Sequence, residues 1–226
     1  HSTRSSTATI YWGLALAKDA GIPVHHSTFE DAEKFFATTF SKIESNDAES
    51  KALIVHALSL TGRADFSAAN RLYRERENLS ETALAYMSAA FVRMGRRSFA
   101  EDLHKILDTK LVDKCRWKSK SQHSILSDDV GTTALALWSY AKLRRDSATT
   151  AAVANHLVAQ TTRLPSNRSL GLVVAALAEY YNQGERPGDD FTVELLVNDQ
   201  LAGNIGSADL KTTLIFALPP DRIDAG

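Results

Sequence analysis

Apolar and polar residues recur along the first 184 positions with the period of α-helices, and the helices they outline are of two kinds. Capping residues and glycines mark nine of them, at about 7–20, 28–43, 47–61, 65–77, 80–94, 98–109, 128–144, 147–161 and 168–183. Ser27-Thr-Phe-Glu30 and Ser98-Phe-Ala-Glu101 read as capping boxes, in which a serine hydroxyl and a glutamate carboxylate satisfy free amides at a helix start. Asn46, Asp65, Ser80 and Ser147 are further N-cap candidates. Gly21, Gly62, Gly95 and Gly184 each follow an apolar run, where a left-handed residue ends a helix.

The first kind of helix is apolar or small on nearly every side: Ala8–Ala17, Ala52–Leu60, Ala83–Phe91, Thr133–Ala141 and Leu170–Ala178. Such helices must be buried on most faces. The second kind carries one apolar stripe, such as Phe29, Ala32, Phe36 and Phe40, or Phe66, Ala69 and Tyr73, opposite a charged face. Those helices belong outside. Inner helices recur about every 40 residues, the period of stacked helical hairpins that cannot bury their apolar faces alone. An open solenoid usually shows a polar concave face to its ligand, whereas these inner helices are apolar throughout. The expectation is therefore a mainly α chain: an incomplete α/α toroid of about nine alternating inner and outer helices.

After Gly184 the period changes to two. Gly184-Glu-Arg-Pro-Gly188 reads as a linker, Phe191, Val193 and Leu195 alternate with polar or outward positions, Asn198-Asp199 reads as a turn, and Leu210, Thr212, Leu214 and Phe216 begin a similar alternation. Two domains are expected: a toroid-like helical domain over 1–184 and an antiparallel β-ribbon over 185–226, ended by Pro219-Pro220. A lone ribbon is marginal in water, so this one belongs to a larger β-domain of a longer protein.

Composition supports the helical reading. Ala (32) and Leu (26) make up about a quarter of the 226 residues, and no proline falls between Val24 and Leu164, which excludes an all-β sandwich or barrel. The formal net charge of −1 comes from 26 basic and 27 acidic residues scattered along the chain, without the basic footprint of a nucleic-acid or anionic-lipid binder. No apolar run reaches the roughly 20 residues needed to insert across a bilayer. The single cysteine, Cys115, excludes an internal disulfide.

Candidate chemistry is sparse. His25-His26 is expected in a solvated loop, while His56 and His156 lie in apolar helical stretches and read as satisfied core or seam histidines. With His104 and His123 they show no metal-ligand spacing, and no His-Glu-x-x-His occurs. Asp128-Asp129 opens an inner helix, where toroidal terpene synthases hold magnesium, but position 132 is Thr and the pair reads as ordinary capping. Cys115 has Lys114 and Arg116 beside it, which favour a thiolate, yet no base or cross-linking Gln is near in sequence. In the sequons Asn78-Leu-Ser80 and Asn167-Arg-Ser169, both serines are equally explained as helix-start residues. No catalytic, cofactor-binding or metal residue is assigned, and no enzyme activity is expected.

The run Ala69–Gly95, with its Leu72-Tyr-Arg-Glu-Arg-Glu-Asn-Leu-Ser80 segment and Ala/Leu-rich helix, resembles the bacterial α2-macroglobulins. So, in order, do Arg116-Trp117, Asp129-Val-Gly-Thr-Thr-Ala-Leu-Ala-Leu-Trp138, Arg168-Ser-Leu-Gly-Leu-Val-Val-Ala-Ala-Leu-Ala-Glu-Tyr-Tyr181 and Asp190–Asn198. The resemblance covers about residues 7–218. It implies the last helices of a thioester-domain α/α toroid, followed by the β-segment that returns to a CUB-like domain.

The resemblance also implies a role. A cleaved bait region triggers a conformational change that entraps the protease, which makes the parent a broad-spectrum endopeptidase inhibitor, secreted or periplasmic in a bacterium. Its partners would be proteases and other domains of the same chain. The family's Cys-x-Glu-Gln thioester is absent, because Cys115 is followed by Arg-Trp-Lys, and a Gly-Ser-Thr-Gln stretch of the closing repeat is replaced by Ser166-Asn-Arg-Ser169. By position a thioester would lie before Ser2, so this chain is expected to be a fragment without its own active site. An unfinished ring leaves apolar edges, and weak self-association is expected. Two alternatives stand beside this reading: a toroidal enzyme of the terpene cyclase, prenyltransferase or glycosidase kind, and a HEAT-like interaction solenoid.

Overall fold

The computed structural model describes residues 3–119, 128–160, 166–182, 192–197 and 200–206. The chain divides into two compact units, His1–Asn182 and Gln183–Gly226. It is mainly helical. Among the described residues the first unit holds α1 (Thr3–Asp19), α2 (His26–Thr39), α3 (Ala48–Ser59), α4 (Phe66–Arg74), α5 (Glu81–Arg93), α6 (Arg97–Thr109), α7 (Asp129–Arg144), α8 (Ala148–Gln160) and α9 (Asn167–Tyr181). Short 3-10 turns follow α2 and α4, at Phe40–Lys42 and Arg76–Asn78. No described helix is long and apolar enough to cross a membrane.

The odd-numbered helices pack on one another in series, α1 on α3, α3 on α5, α5 on α7 and α7 on α9, while α2, α4, α6 and α8 pack against them from outside. Among the described residues, the extensive helix contacts do not join α9 back to α1. The inner helices run parallel, because like ends meet. At the N-terminal ends Glu49 meets Ser80, Thr82 meets Thr132 at 2.8 Å and Asp128 meets Ser169; at the C-terminal ends Asp19 pairs with Arg93, and Lys142 with Glu179 at 2.7 Å.

Burial follows the two kinds of helix. In α5 every residue from Glu81 to Phe91 is buried, and in α7 so are Gly131–Leu137 and Ser139–Ala141. In α6 only Ala100, Leu103, His104 and Leu107 are buried, one stripe at helical spacing. Alanines let the inner helices come close, and at Gly131 the fit is tight. A Cβ added at Gly131 of α7 would stand 3.3 Å from Leu172 Cδ1 of α9 and 3.4 Å from Asp128 Oδ1. Outside, Phe66, Tyr73, Phe91 and Phe99 tie α4 and α6 to α5, with ring centroids 4.7–5.8 Å apart.

The helix ends show where local rules held and where they were overridden. Asp65 caps α4 through Ser67 N (2.8 Å) and Ala68 N (3.3 Å), Ser80 caps α5 through Ala83 N, and Ser147 caps α8 through Thr150 N. Gly21, Gly62 and Gly95 are left-handed, with φ of 82°, 72° and 69°. Neither capping box forms. Helix α2 already includes His26, so Ser27 is helical and the cap is His25, without a side-chain bond. Helix α6 starts at Arg97, straight after left-handed Gly95 and the capping Arg96, and Glu101 turns to Arg97 Nε at 2.7 Å. Asp47, not Asn46, caps α3 by accepting from Ser50 N.

In the second unit β1 (Thr192–Val197) pairs antiparallel with β2 (Gln200–Gly206), with Val197 opposite Gln200 and a register shift between Leu195 and Leu196. The strand that pairs with β1 thus lies earlier than the alternation at Leu210–Phe216. Gly203, Asn204 and Gly206 hide it, since they break an apolar period of two. Gly184, the 184–188 linker, Asn198-Asp199, Leu210–Phe216 and Pro219-Pro220 lie outside the described residues.

Two core histidines connect packing to pH. Burial first, and then Arg93, lowers His56 to about 3; burial first, and then Arg144, lowers His104 to about 3, against the opposing pull of Asp108. The folded state refuses a proton that the unfolded chain accepts below about pH 6.5, so stability is full above that pH and falls toward pH 3. The expected loss is about 1.4 kcal/mol per pH unit for each histidine in this window. Urea unfolding of wild type and His56→Leu between pH 7 and 5 measures this: the variant should lose stability less steeply, by one proton. An unchanged slope would refute the assignment.

Candidate functional site

Among the polar side chains buried in the inner layer, Ser50, Glu81, Thr82, Thr132, Thr133 and Ser169 lie at the N-terminal turns of α3, α5, α7 and α9. Helix capping explains how the acids arrive there. Asp128 caps α7 by accepting from Gly131 N at 2.7 Å through Oδ1, while its Oδ2 accepts from Ser169 Oγ of α9 at 2.5 Å. Ser169 is fully buried, and its own amide donates to the cap residue Ser166. One hairpin earlier, Ser80 at the cap of α5 donates to Glu49 of α3 at 2.5 Å. Each bond joins two neighbouring inner helices at the turn that starts them.

Tyr86 stands at the hub of these turns. Its side chain is fully buried in α5, and its hydroxyl accepts a hydrogen bond from Arg168 of α9, so α9 reaches past α7 to α5. Burial pushes the Tyr86 phenol up to about 12; Arg168 opposes this, and Glu49 and Asp128 add to it. On its other side the Tyr86 ring meets Trp12 of α1 at 6.5 Å and His56 of α3 at 5.5 Å, and Trp12 and His56 meet edge to face at 4.9 Å. Residues from α1, α3 and α9 thus converge on one tyrosine of α5.

His56 differs from the expectation of a satisfied histidine. It is buried, but neither ring nitrogen has a hydrogen-bond partner; the imidazole faces two aromatic rings instead. Burial and the nearby Arg93 keep it neutral. His104 bonds Ser139 at 3.0 Å, and His156 is half-buried, with burial lowering its pKa. His25 is exposed in the loop as the extended residue before α2, His26 is exposed as the first residue of that helix, and His123 lies outside the described residues.

The other candidates are held by local structure. Asp129 accepts from Ser119 N at 2.7 Å and lies 3.8 Å from Arg116. Cys115 is half-buried in a turn between Val112 and Arg116, where Asp113 and Lys114 adopt left-handed φ of 52° and 61°. Trp117, fully buried, fixes the chain that leaves this turn: its indole donates to Leu107 O at 2.7 Å and its amide to Thr133 Oγ1 at 3.1 Å. Of the sequon serines, Ser80 and Ser169 are both engaged in helix-start bonds. No group of three or more His, Cys, Asp or Glu among the described residues could hold a metal ion.

No family model matches the chain, and a comparison with curated proteins finds no match. The geometry itself has a clear chemical character. Tyr86 holds its proton well above neutral pH and His56 stays neutral well below it, so neither exchanges protons near pH 7. The carboxylates of Glu49 and Asp128 spend their acceptor capacity on serine hydroxyls and an amide. This is a set of struts between helix starts. Sequence reasoning found Asp128 and Ser80 as helix-start residues and reached Trp117 only through the family resemblance; it missed the pair Tyr86–Arg168, which spans 82 residues.

A double-mutant cycle measures the central strut. Tyr86→Phe and Arg168→Leu should show a coupling energy of about 1–3 kcal/mol in urea unfolding, the range for contacting polar groups. Strictly additive losses would remove the strut from the account.

Proposed function

We propose that this chain is a conformational module of an α2-macroglobulin-like endopeptidase inhibitor: part of an α/α toroid, without an active site of its own, in a secreted or periplasmic bacterial protein that entraps proteases. One observation carries the reading. The segments that resemble the family are the ones that tie successive helices of this array together. From Leu72–Ser80, Tyr73 donates to Asp102 of α6 at 2.8 Å and stacks under Arg76, while Ser80 reaches Glu49. Trp117 ties the end of α6 to Thr133 of α7. Gly131 admits Leu172, and Arg168 and Ser169 reach Tyr86 and Asp128. Residues that look arbitrary as a motif each have a packing or bonding task in a serial helix array.

The apolar inner layer also favours a ring over a HEAT-like solenoid, because its side chains converge on Tyr86 rather than offer a polar concave face. The terpene cyclase-like reading needs free acids at the inner helix starts, and Asp128 and Asp129 are engaged in capping and bridging bonds.

The test uses the full-length parent protein, incubated with proteases of differing specificity. Cleavage at one internal region should leave the protease associated with the inhibitor, active on small peptide substrates and screened from large protein substrates. A parent that is not cleaved at such a region, and leaves proteases fully active on large substrates, would overturn the proposal.

A further inference from the structure

Helix α9 meets α7 differently at its two ends. At the start, Leu172 lies against Gly131, Ser169 donates to Asp128, and Arg168 crosses to Tyr86. The buried stripe continues through Val173 and Ala176. The next position of that spacing is Glu179, and there the contact with α7 changes from apolar to ionic. Lys142 of α7 approaches the Glu179 carboxylate at 2.7 Å and Arg145 at 3.6 Å, and Arg145 Nη2 also donates to the Glu179 carbonyl at 2.9 Å.

Local rules argue against an acid at this position. The last turn of a helix carries the negative end of its macrodipole, so a glutamate there weakens the helix unless a cation holds it. The last turn of α9 has no basic residue of its own. Both cations come from the neighbouring helix, Lys142 from the last turn of α7 and Arg145 from its C-cap. Solvent reaches all three side chains: Glu179 is 17% exposed, Arg145 28% and Lys142 39%. A pocket of about 600 Å³ opens beside them, lined also by Arg144, which Asp108 engages, and by the exposed Asp146. Ion pairs in such a place are screened by salt, whereas the buried bonds at the start of α9 are screened far less. Glu179 also stands just before the boundary of the first unit at Asn182.

We infer that Glu179, Lys142 and Arg145 form a salt-releasable clasp on the end of α9: when it opens, the last turn of α9 comes free of α7 while its start stays in place. The helix is thus anchored at one end by burial and latched at the other by charge. The latch sits where the first unit passes the chain to the second, so its state decides whether that junction is held or loose. This inference rests on the packing of α7 and α9 and not on protease entrapment.

Native-state hydrogen exchange, resolved by residue and corrected for intrinsic rates, tests this in wild type and two variants. Raising NaCl from about 0.01 M to about 1 M shortens the screening length from about 30 Å to about 3 Å. Wild-type exchange at Glu179, Tyr180 and Tyr181 should then quicken roughly two- to fivefold, the worth of exposed ion pairs, while Leu172 and Val173 should not quicken. Glu179→Gln keeps the helix propensity and should show the same quickening already at low salt, with no further response to salt. A last turn that merely frays predicts the opposite sign, because removing or screening the charge relieves its conflict with the helix dipole. Asp31→Asn, which breaks the exposed pair of Asp31 with Lys34 on α2, should leave α9 as in wild type. Wild-type exchange at the last turn that is unchanged or slowed by salt, Glu179→Gln exchange no faster than wild type, or an equal effect of Asp31→Asn would each overturn the inference.

Discussion

The structure depends on one constraint: inner helices such as α5 and α7 are buried over most of their circumference, and no single neighbour can bury them. An amphipathic helix needs a single partner, but a helix such as α5, buried from Glu81 to Phe91, needs neighbours on two sides and a cover on a third. Serial packing of the odd-numbered helices supplies the two sides, and the even-numbered helices supply the cover. The polar features then follow from that arrangement. Parallel inner helices bring their starts together, so their unpaired amides and capping side chains collect in one place, and Asp128, Ser169, Ser80 and Glu49 satisfy each other there.

Placing polar groups in an apolar layer has an energetic side. Burying a tyrosine hydroxyl without a partner costs about 1–3 kcal/mol and an unpartnered carboxylate more, and Arg168 and Ser169 offset that cost at Tyr86 and Asp128. His56 is the exception, since its two nitrogens face rings and not acceptors. It makes α3 the part of the layer most exposed to acid, next to the Arg93 charge that opposes protonation.

Much of the fold was legible because it is written at short range. Nine apolar runs punctuated by left-handed glycines gave the nine described helices, and the contrast between Ala/Leu-rich and amphipathic runs separated inner from outer. Short-range rules failed where connections dictated geometry. Ser27 and Ser98 have the right neighbours for capping boxes, but the helices begin before them, at His26 and Arg97. The partner of β1 escaped notice because two glycines and an asparagine blur its alternation. The hub at Tyr86 was not legible at all, because a pair 82 residues apart has no local signature and a buried tyrosine in an apolar run looks like ordinary core.

The most direct test of the account is native-state hydrogen exchange of the chain at neutral pH, resolved by helix. If the inner helices form one mutually buried layer, amides of α3, α5 and α7 should exchange together and only through global unfolding, with the outer α2, α4 and α8 opening at lower free energy. Exchange in α5 as fast as in those outer helices would contradict the claim that the inner layer holds the structure together.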